Sequence, residues 1–118
     1  MEKFSVSLPL TSEYLTTVRL TTGGLCALVG FDMEATEDFK VCVTESLLLL
    51  KRNGFARAEL VFTAAETLKC EAIGKDQTEN KEETLEDDIS RALLSALLGE
   101  VQFISDETGA VVAIAFEG

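Results

Sequence analysis

Histidine is absent from this 118-residue sequence, and cysteine and proline are scarce. The cysteines, Cys26, Cys42 and Cys70, are odd in number, lie far apart and form no CxxC motif. Without histidine, no Cys/His cluster can form, so the sequence argues against a structural zinc site or a disulfide framework. The three cysteines are instead expected to be buried, small apolar residues in a reducing compartment.

Positive charge is also scarce, because 10 lysines and arginines face 21 acidic residues. The formal net charge of −11 repels phosphate backbones, which disfavours direct binding of DNA or RNA. An acidic surface suits a basic protein partner, although the need for solubility explains such a charge about as often. No metal site is predicted.

Long apolar runs are missing as well, and the N-terminus lacks the basic-then-apolar pattern of a signal peptide. The chain is therefore expected to be cytoplasmic, with no membrane segment. Hydrophobic residues nevertheless make up 47% of the sequence, which is enough for a core. The length fits one domain, predicted to span residues 1–118.

Hydrophobic periodicity divides the first half of the chain into a strand and two helices. Residues 3–10 alternate as a half-buried strand, which Pro9 places at a sheet edge. A helix follows from Ser12, and its Gly23-Gly24 pair indicates close packing or a break. A second helix, from Asp32 to about residue 51, is apolar nearly all round and is predicted to be central.

The second half contains two predicted hairpins that flank an acidic segment and a third helix. The hairpin strands are residues 56–64 with 67–73, and 101–104 with 110–116. Residues 75–88 hold seven acids and two lysines and are predicted to form a solvated loop. Thr84 and Asp87 resemble a capping box. The apolar stripe predicted for the helix that follows is Ile89, Ala92, Leu93, Ala96 and Leu97.

The predicted order is therefore β-α-α-β-β-α-β-β. Paired strands and clustered helices predict an α+β two-layer sandwich, with a mixed, mostly antiparallel sheet and the helices on one face.

Two parts of the sequence are distinctive. The first comprises residues 12–21, 30–31 and 37–45, which read SEYLTTVRLT, GF and EDFKVCVTE; the second, residues 89–101, reads ISRALLSALLGEV. They resemble the bacterial anti-sigma-factor serine kinases, small members of the histidine-kinase-like (GHKL) ATPase superfamily. The element order matches that fold across nearly the whole chain. The resemblance implies a sigma factor or an anti-anti-sigma protein as partner, and often a homodimer.

The second helix of such kinases carries a glutamate, an asparagine four residues later and commonly a histidine four residues beyond that. Residues four apart share a helix face, so the first two side chains meet at the nucleotide. The glutamate acts as base or orienter for the attacking hydroxyl, and the asparagine helps to hold Mg²⁺. Here Glu45 matches the glutamate, Leu49 replaces the asparagine, and Asn53 stands at the histidine position. Leucine cannot ligate a cation that requires oxygen donors.

The family's next motif, Asp-x-Gly-x-Gly, binds adenine through its aspartate and admits the nucleotide at its glycines. The matching stretch is residues 73–79, where Asp76 corresponds only after a shift of register and no glycine follows it. A glycine-rich phosphate lid should then precede the last helix, yet residues 75–98 contain no glycine. The acidic residues there repel phosphate rather than bind it.

The leading hypothesis is a regulatory protein-binding module that resembles such a kinase, has lost ATP turnover and needs no cofactor. The alternative is an active serine kinase that uses ATP and Mg²⁺ on an anti-anti-sigma protein; a third is an unrelated role on the same fold. The candidate residues are Glu45 for catalysis, Asp76 and Asn53 for cofactor binding, and Arg19 for partner binding. Each also has a structural interpretation, as a paired carboxylate at Glu45, a loop charge at Asp76 and a surface salt bridge at Arg19.

Overall fold

A computed structural model describes residues 2–78, 85–98 and 100–118. Eight elements follow the predicted order, which confirms the α+β class. They are β1 (Glu2–Pro9), α1 (Ser12–Leu28), α2 (Met33–Arg52), β2 (Phe55–Ala64), β3 (Leu68–Gln77), α3 (Leu85–Leu98), β4 (Val101–Ser105) and β5 (Val111–Glu117).

The five strands form one sheet in the order β1-β2-β3-β5-β4. All neighbouring strands pair antiparallel. The prediction of a mostly antiparallel sheet is therefore confirmed, but the sheet contains no parallel pair among the described strands and is not mixed. The prediction that β1 lies at an edge is confirmed, and β4 forms the other edge. Side chains alternate between the faces of a strand, so Leu60, Ala72 and Ile114 lie in one cross-strand row that is buried.

The core lies between this sheet and the helices, and α2 supplies its centre. Phe39 on α2 is fully buried and packs against Phe116 on β5, with ring centroids 5.2 Å apart. Such tilted aromatic contacts stabilise a core beyond the area they bury. The other apolar residues of α2 that are buried against the core are Cys42, Val43, Leu47, Leu49 and Leu50. The prediction of a central second helix is therefore confirmed.

Both ends of α2 follow from local chemistry. Asp32 caps the first turn, where its carboxylate accepts a hydrogen bond of 2.8 Å from the backbone N–H of Ala35. Gly54 ends the helix with φ at +93°, a conformation that glycine adopts without strain. The glycine pair of α1 lies inside that helix and does not break it. A Cβ at Gly23 would be 2.9 Å from Cε of Lys40, so this glycine permits close packing against α2.

The predicted loop over residues 75–88 is wrong at both ends. Lys75 and Gln77 continue β3, where they pair with Arg57 and Phe55 of β2. Residues 85–88 form the first turn of α3. Thr84 of the predicted capping box lies outside the described residues, as does the centre of the loop, residues 79–84.

The apolar stripe predicted for α3 is buried only in part, since Leu97 packs against the core but three other members do not. Ile89 is 58% exposed, and Ala92 and Ala96 are exposed with it. The face that meets the rest of the protein instead contains Asp87, Ser90 and Leu94, which are spaced by three and four residues and are all buried. The N-terminal half of that face is polar because α2 provides partners for it.

The three cysteines are free and buried, as predicted. Burial raises the pKa of the Cys42 thiol to about 12, and burial likewise raises the pKa of Cys26 and Cys70. These thiols are therefore packing groups rather than nucleophiles. Within the described part of the chain, no helix is long and apolar enough to cross a membrane.

Candidate functional site

Glu45 lies on the side of α2 that faces α3. Its Oε2 accepts a hydrogen bond of 2.9 Å from the hydroxyl of Ser90, which is only 3% exposed. The candidate catalytic carboxylate is therefore engaged with a serine of its own chain.

Arg52, two helical turns after Glu45, extends this contact. Its Nε lies 2.8 Å from Oδ1 of Asp87, whose side chain is 3% exposed. One terminal guanidinium nitrogen donates to Ser90 Oγ and, at 3.3 Å, to the carbonyl oxygen of Glu86. We refer to Glu45, Arg52, Asp87 and Ser90 as the α2–α3 clasp.

Helical spacing explains why these four side chains meet. Glu45 and Arg52 are seven residues apart on α2, and Asp87 and Ser90 are three apart on α3, so each pair shares one helix face. Buried polar groups are stable only when they are hydrogen-bonded, and a buried charge requires a partner. The planar guanidinium of Arg52 satisfies both needs, because it offers several donors in fixed directions.

The two motif positions that follow Glu45 are occupied by buried residues, Leu49 and Asn53. Leu49 is fully buried in the core, and its side chain carries no donor atom. Asn53 is 3% exposed, and its amide group contacts backbone on two elements. Its Nδ2 donates to the carbonyl oxygen of Leu49 at 2.8 Å, and its Oδ1 accepts from the backbone N–H of Val111 at 3.0 Å. Asn53 thus ties the end of α2 to the start of β5.

Asp76 lies near that same end of α2, at the end of β3. Its side chain is exposed, and its φ of +56° places it in the left-handed region, which aspartate tolerates better than most residues. The next residues hold the strand to the α2 terminus: Gln77 Nε2 donates to the Asn53 carbonyl at 3.2 Å, and the Thr78 N–H donates to the Gly54 carbonyl at 2.8 Å. The structure thus brings Asp76 and Asn53 to one end of the fold, with only Asp76 facing solvent.

Arg19 lies on α1 and contacts α2 at Thr44, whereas the clasp joins α2 to α3. Its Nε donates to Thr44 Oγ1 at 3.2 Å, and that hydroxyl donates to the Lys40 carbonyl at 3.0 Å. The residue as a whole is exposed, so its guanidinium is accessible to another molecule. Among the residues that the structure describes, the partner of Arg19 is this hydroxyl, and no salt bridge of Arg19 is seen.

No family model matches the chain. The serine-protein kinases RsbW of Listeria monocytogenes and Listeria innocua are each 33% identical to it over 58 residues. That match covers 49% of this chain and 37% of each kinase, so the chain corresponds to about a third of their length.

The fold matches over a longer range. A crystal structure of the RsbU and RsbW domains of Rv1364c from Mycobacterium tuberculosis aligns with 99% of this chain at a TM-score of 0.74. The identity is 15%, and the alignment covers 32% of that larger chain. This chain therefore resembles RsbW in sequence over about half of its length, and shares the fold of the solved structure over nearly all of it. The predicted α+β two-layer fold is thereby confirmed.

The resemblance implies that a magnesium–nucleotide complex binds at the three motif positions, which are Glu45, Leu49 and Asn53 in this chain. Mg²⁺ requires an octahedral set of oxygen donors. Leu49 offers none, and the Oδ1 of Asn53 is already bonded to β5. Glu45 offers one carboxylate, of which Oε2 accepts from Ser90. These positions therefore do not fit the ion that the resemblance implies. Among the described residues, no group of three or more Cys, Asp or Glu side chains is arranged to hold a metal.

Sequence reasoning missed three of the four clasp residues, namely Arg52, Asp87 and Ser90. One signal for them was present: Asp87, Ser90 and Leu94 follow the 3-4 spacing of a buried helix face. It was passed over because the first two residues are polar. The apolar stripe that includes Ile89 has the same period and matched the expected composition better.

Proposed function

We propose that this chain is a cytoplasmic regulatory module that binds a protein and does not turn over ATP. The observation that carries the proposal is Leu49, a core leucine at the position where the resemblance requires a magnesium ligand. Phosphoryl transfer depends on positioning and on neutralising charge with Mg²⁺, so a site without that ligand loses a main source of catalysis.

The residues around Leu49 support the same conclusion. Glu45 accepts from Ser90 at 2.9 Å through Oε2, so this oxygen is engaged with a hydroxyl of its own chain rather than with that of a substrate. The exposed Asp76 is not followed by the glycines that would let a nucleotide approach the backbone. The acidic character of the chain, with a net charge of −11, disfavours a polyphosphate further.

Addition of ATP and Mg²⁺ is expected to leave the thermal unfolding temperature unchanged. A ligand present at a hundredfold over its Kd adds about 2.7 kcal/mol to the free energy of unfolding, which raises the melting temperature by several degrees. Differential scanning fluorimetry with millimolar Mg·ATP, and with Mg²⁺ alone as control, measures this. A clear rise with ATP would favour the alternative, an active serine kinase that acts on an anti-anti-sigma protein.

The proposed partner is a sigma factor or an anti-anti-sigma protein, as the resemblance implies, and the module itself is proposed to form a homodimer. Exposed Arg19 is the residue on which partner binding is expected to depend, because arginine is enriched among the residues that dominate interface energies. Its accessible guanidinium offers donors for a carboxylate of the partner.

Substitution of Arg19 by alanine is expected to weaken partner binding by about tenfold, which corresponds to about 1.4 kcal/mol. The tagged chain would be used to recover a sigma factor or small phosphoacceptor protein from its host, and titration calorimetry would then compare variants. Arg57→Ala is the matched control, since Arg57 is on β2 and alternates with the buried Ala58, which places it on the sheet face away from the helices. Equal affinities for the two variants would remove Arg19 from the interface.

A further inference from the structure

The attachment of α3 to the rest of the protein depends on polar contacts at its N-terminal half. Leu94 is fully buried, but the residues that precede it on the same face are Asp87 and Ser90, at 2% and 3% exposure. The apolar residues Ile89 and Ala92 point to solvent. Since apolar burial supplies most of the free energy that docks a helix, this half of α3 requires another source.

The clasp supplies that source with groups from both helices. Arg52 donates to the Asp87 carboxylate, to Ser90 Oγ and to the Glu86 carbonyl, and Ser90 in turn donates to Glu45. The hydroxyl of Ser90 is thus both an acceptor from Arg52 and a donor to Glu45. A hydroxyl in this arrangement is fully used, because it donates its one proton to Glu45 and its lone pairs face the cation.

We propose that Ser90 is an internal ligand of Glu45, which occupies one oxygen of this carboxylate and fixes α3 on α2 without any nucleotide. This inference rests on the proposed function, in which the chain works as a binding module. The position of α3 is then a constant property of the fold rather than a response to ATP. Ser90 is a positioning residue in this account, because it acts through Glu45 and Arg52.

Hydrogen exchange followed by mass spectrometry tests the clasp directly. In Ser90→Ala, the amides of α3 are expected to exchange roughly tenfold faster, while those of β2 and β3 keep their wild-type rates. Ser95→Ala is the matched control, since Ser95 is an exposed serine on the same helix. If the two variants exchange alike, or if wild-type α3 exchanges as fast as an unprotected peptide, the clasp does not hold the helix.

A second comparison asks whether Ser90 acts through Glu45. In a Glu45→Ala background, Ser90→Ala is expected to change α3 exchange less than it does in the wild type, because its contact with Glu45 is already gone and only the one with Arg52 remains. A Ser90 side chain that served only as packing would keep its full effect in that background, which would overturn the proposal.

Hydrogen exchange of the α3 amides also tests whether a nucleotide affects this helix. Mg·ATP is expected to leave α3 exchange in the wild type unchanged, and slower exchange would overturn nucleotide independence. The two proposals fail separately. Thermal stabilisation by ATP would overturn the loss of the ATP site but leave the difference between Ser90→Ala and Ser95→Ala intact. Equal exchange in those two variants would overturn the clasp with the fluorimetry result unchanged.

Discussion

Replacement of Arg52 by alanine is expected to lower the free energy of unfolding by about 3 kcal/mol. The guanidinium is the cationic partner of Asp87, whose side chain is 3% exposed, at an N···O distance of 2.8 Å. Removing one partner of a buried ion pair costs about 3–5 kcal/mol because the remaining charge is left without compensation. The lower end of this range applies here, since the Arg52 side chain is 23% exposed and water can partly replace it.

Urea denaturation measures this loss, with Lys51→Ala as the control. Lys51 is the neighbouring residue on α2 and is exposed, so its substitution should change stability by less than about 0.5 kcal/mol. The double variant Arg52→Ala/Asp87→Ala should lose less stability than the sum of the two single variants, because both remove the same ion pair. Additive losses in the double variant would show that the two side chains do not interact.

Periodicity predicted most of the fold because most elements bury apolar residues at regular intervals. The strand alternation of Leu60 and Phe62 and the caps of α2 at Asp32 and Gly54 are local signals, which need no knowledge of distant residues. The sheet edge at β1 followed from Pro9, which has no N–H to donate to a further strand.

The orientation of α3 was not predictable from its own composition. Asp87 and Ser90 are buried because Arg52 and Glu45, 35 to 45 residues earlier in the chain, provide hydrogen bonds for them. A rule that places apolar residues inside assigns such positions to the surface, because Asp is almost never buried without a partner. Because the face of α3 with Asp87 and Ser90 packs against α2, Ile89 is exposed.

The boundaries of the predicted acidic loop failed for a related reason. The loop was predicted from its density of charged side chains, which favours contact with water. The backbone hydrogen bonds between strands, however, form whatever the charge of the side chains. Lys75 and Gln77 therefore continue β3 opposite Arg57 and Phe55. Asp87, counted among the loop charges, is held in a helix by an ion pair.

The candidate site was predictable as a motif but not as a geometry. The substitution at Leu49 was visible in the sequence, because it breaks a fixed spacing after Glu45. That Asn53 has a structural role depends on a contact with Val111, 58 residues away, which no local pattern contains. Ser90 is in the same category, since it reaches Glu45 only when α3 packs on α2. The catalytic, cofactor-binding and partner-binding roles of Glu45, Asp76, Asn53 and Arg19 stay predictions.

Restoration of the motif asparagine, by Leu49→Asn, is expected to destabilise the protein by about 3–5 kcal/mol. Leu49 is fully buried in the core cluster. Truncation of a buried leucine costs about 2–5 kcal/mol, and a buried amide that lacks hydrogen-bond partners adds its own desolvation cost. For a domain whose total stability is on the order of 5–15 kcal/mol, this is a large share.

Leu48→Asn is the matched control for that variant. Leu48 is the preceding residue on α2 and is partly exposed, so its amide can reach water and the loss should be smaller. Urea midpoints for the two variants give the comparison, and fluorimetry with Mg·ATP shows whether the new amide binds. Leu49 points from α2 into the core, so an asparagine at this position would be enclosed by apolar side chains. A single substitution should therefore not create a magnesium site. If Leu49→Asn instead kept its stability and gained a clear upshift with Mg·ATP, the nucleotide pocket would be intact apart from one residue. The proposed lack of turnover would then depend on this one residue rather than on the packing of α2.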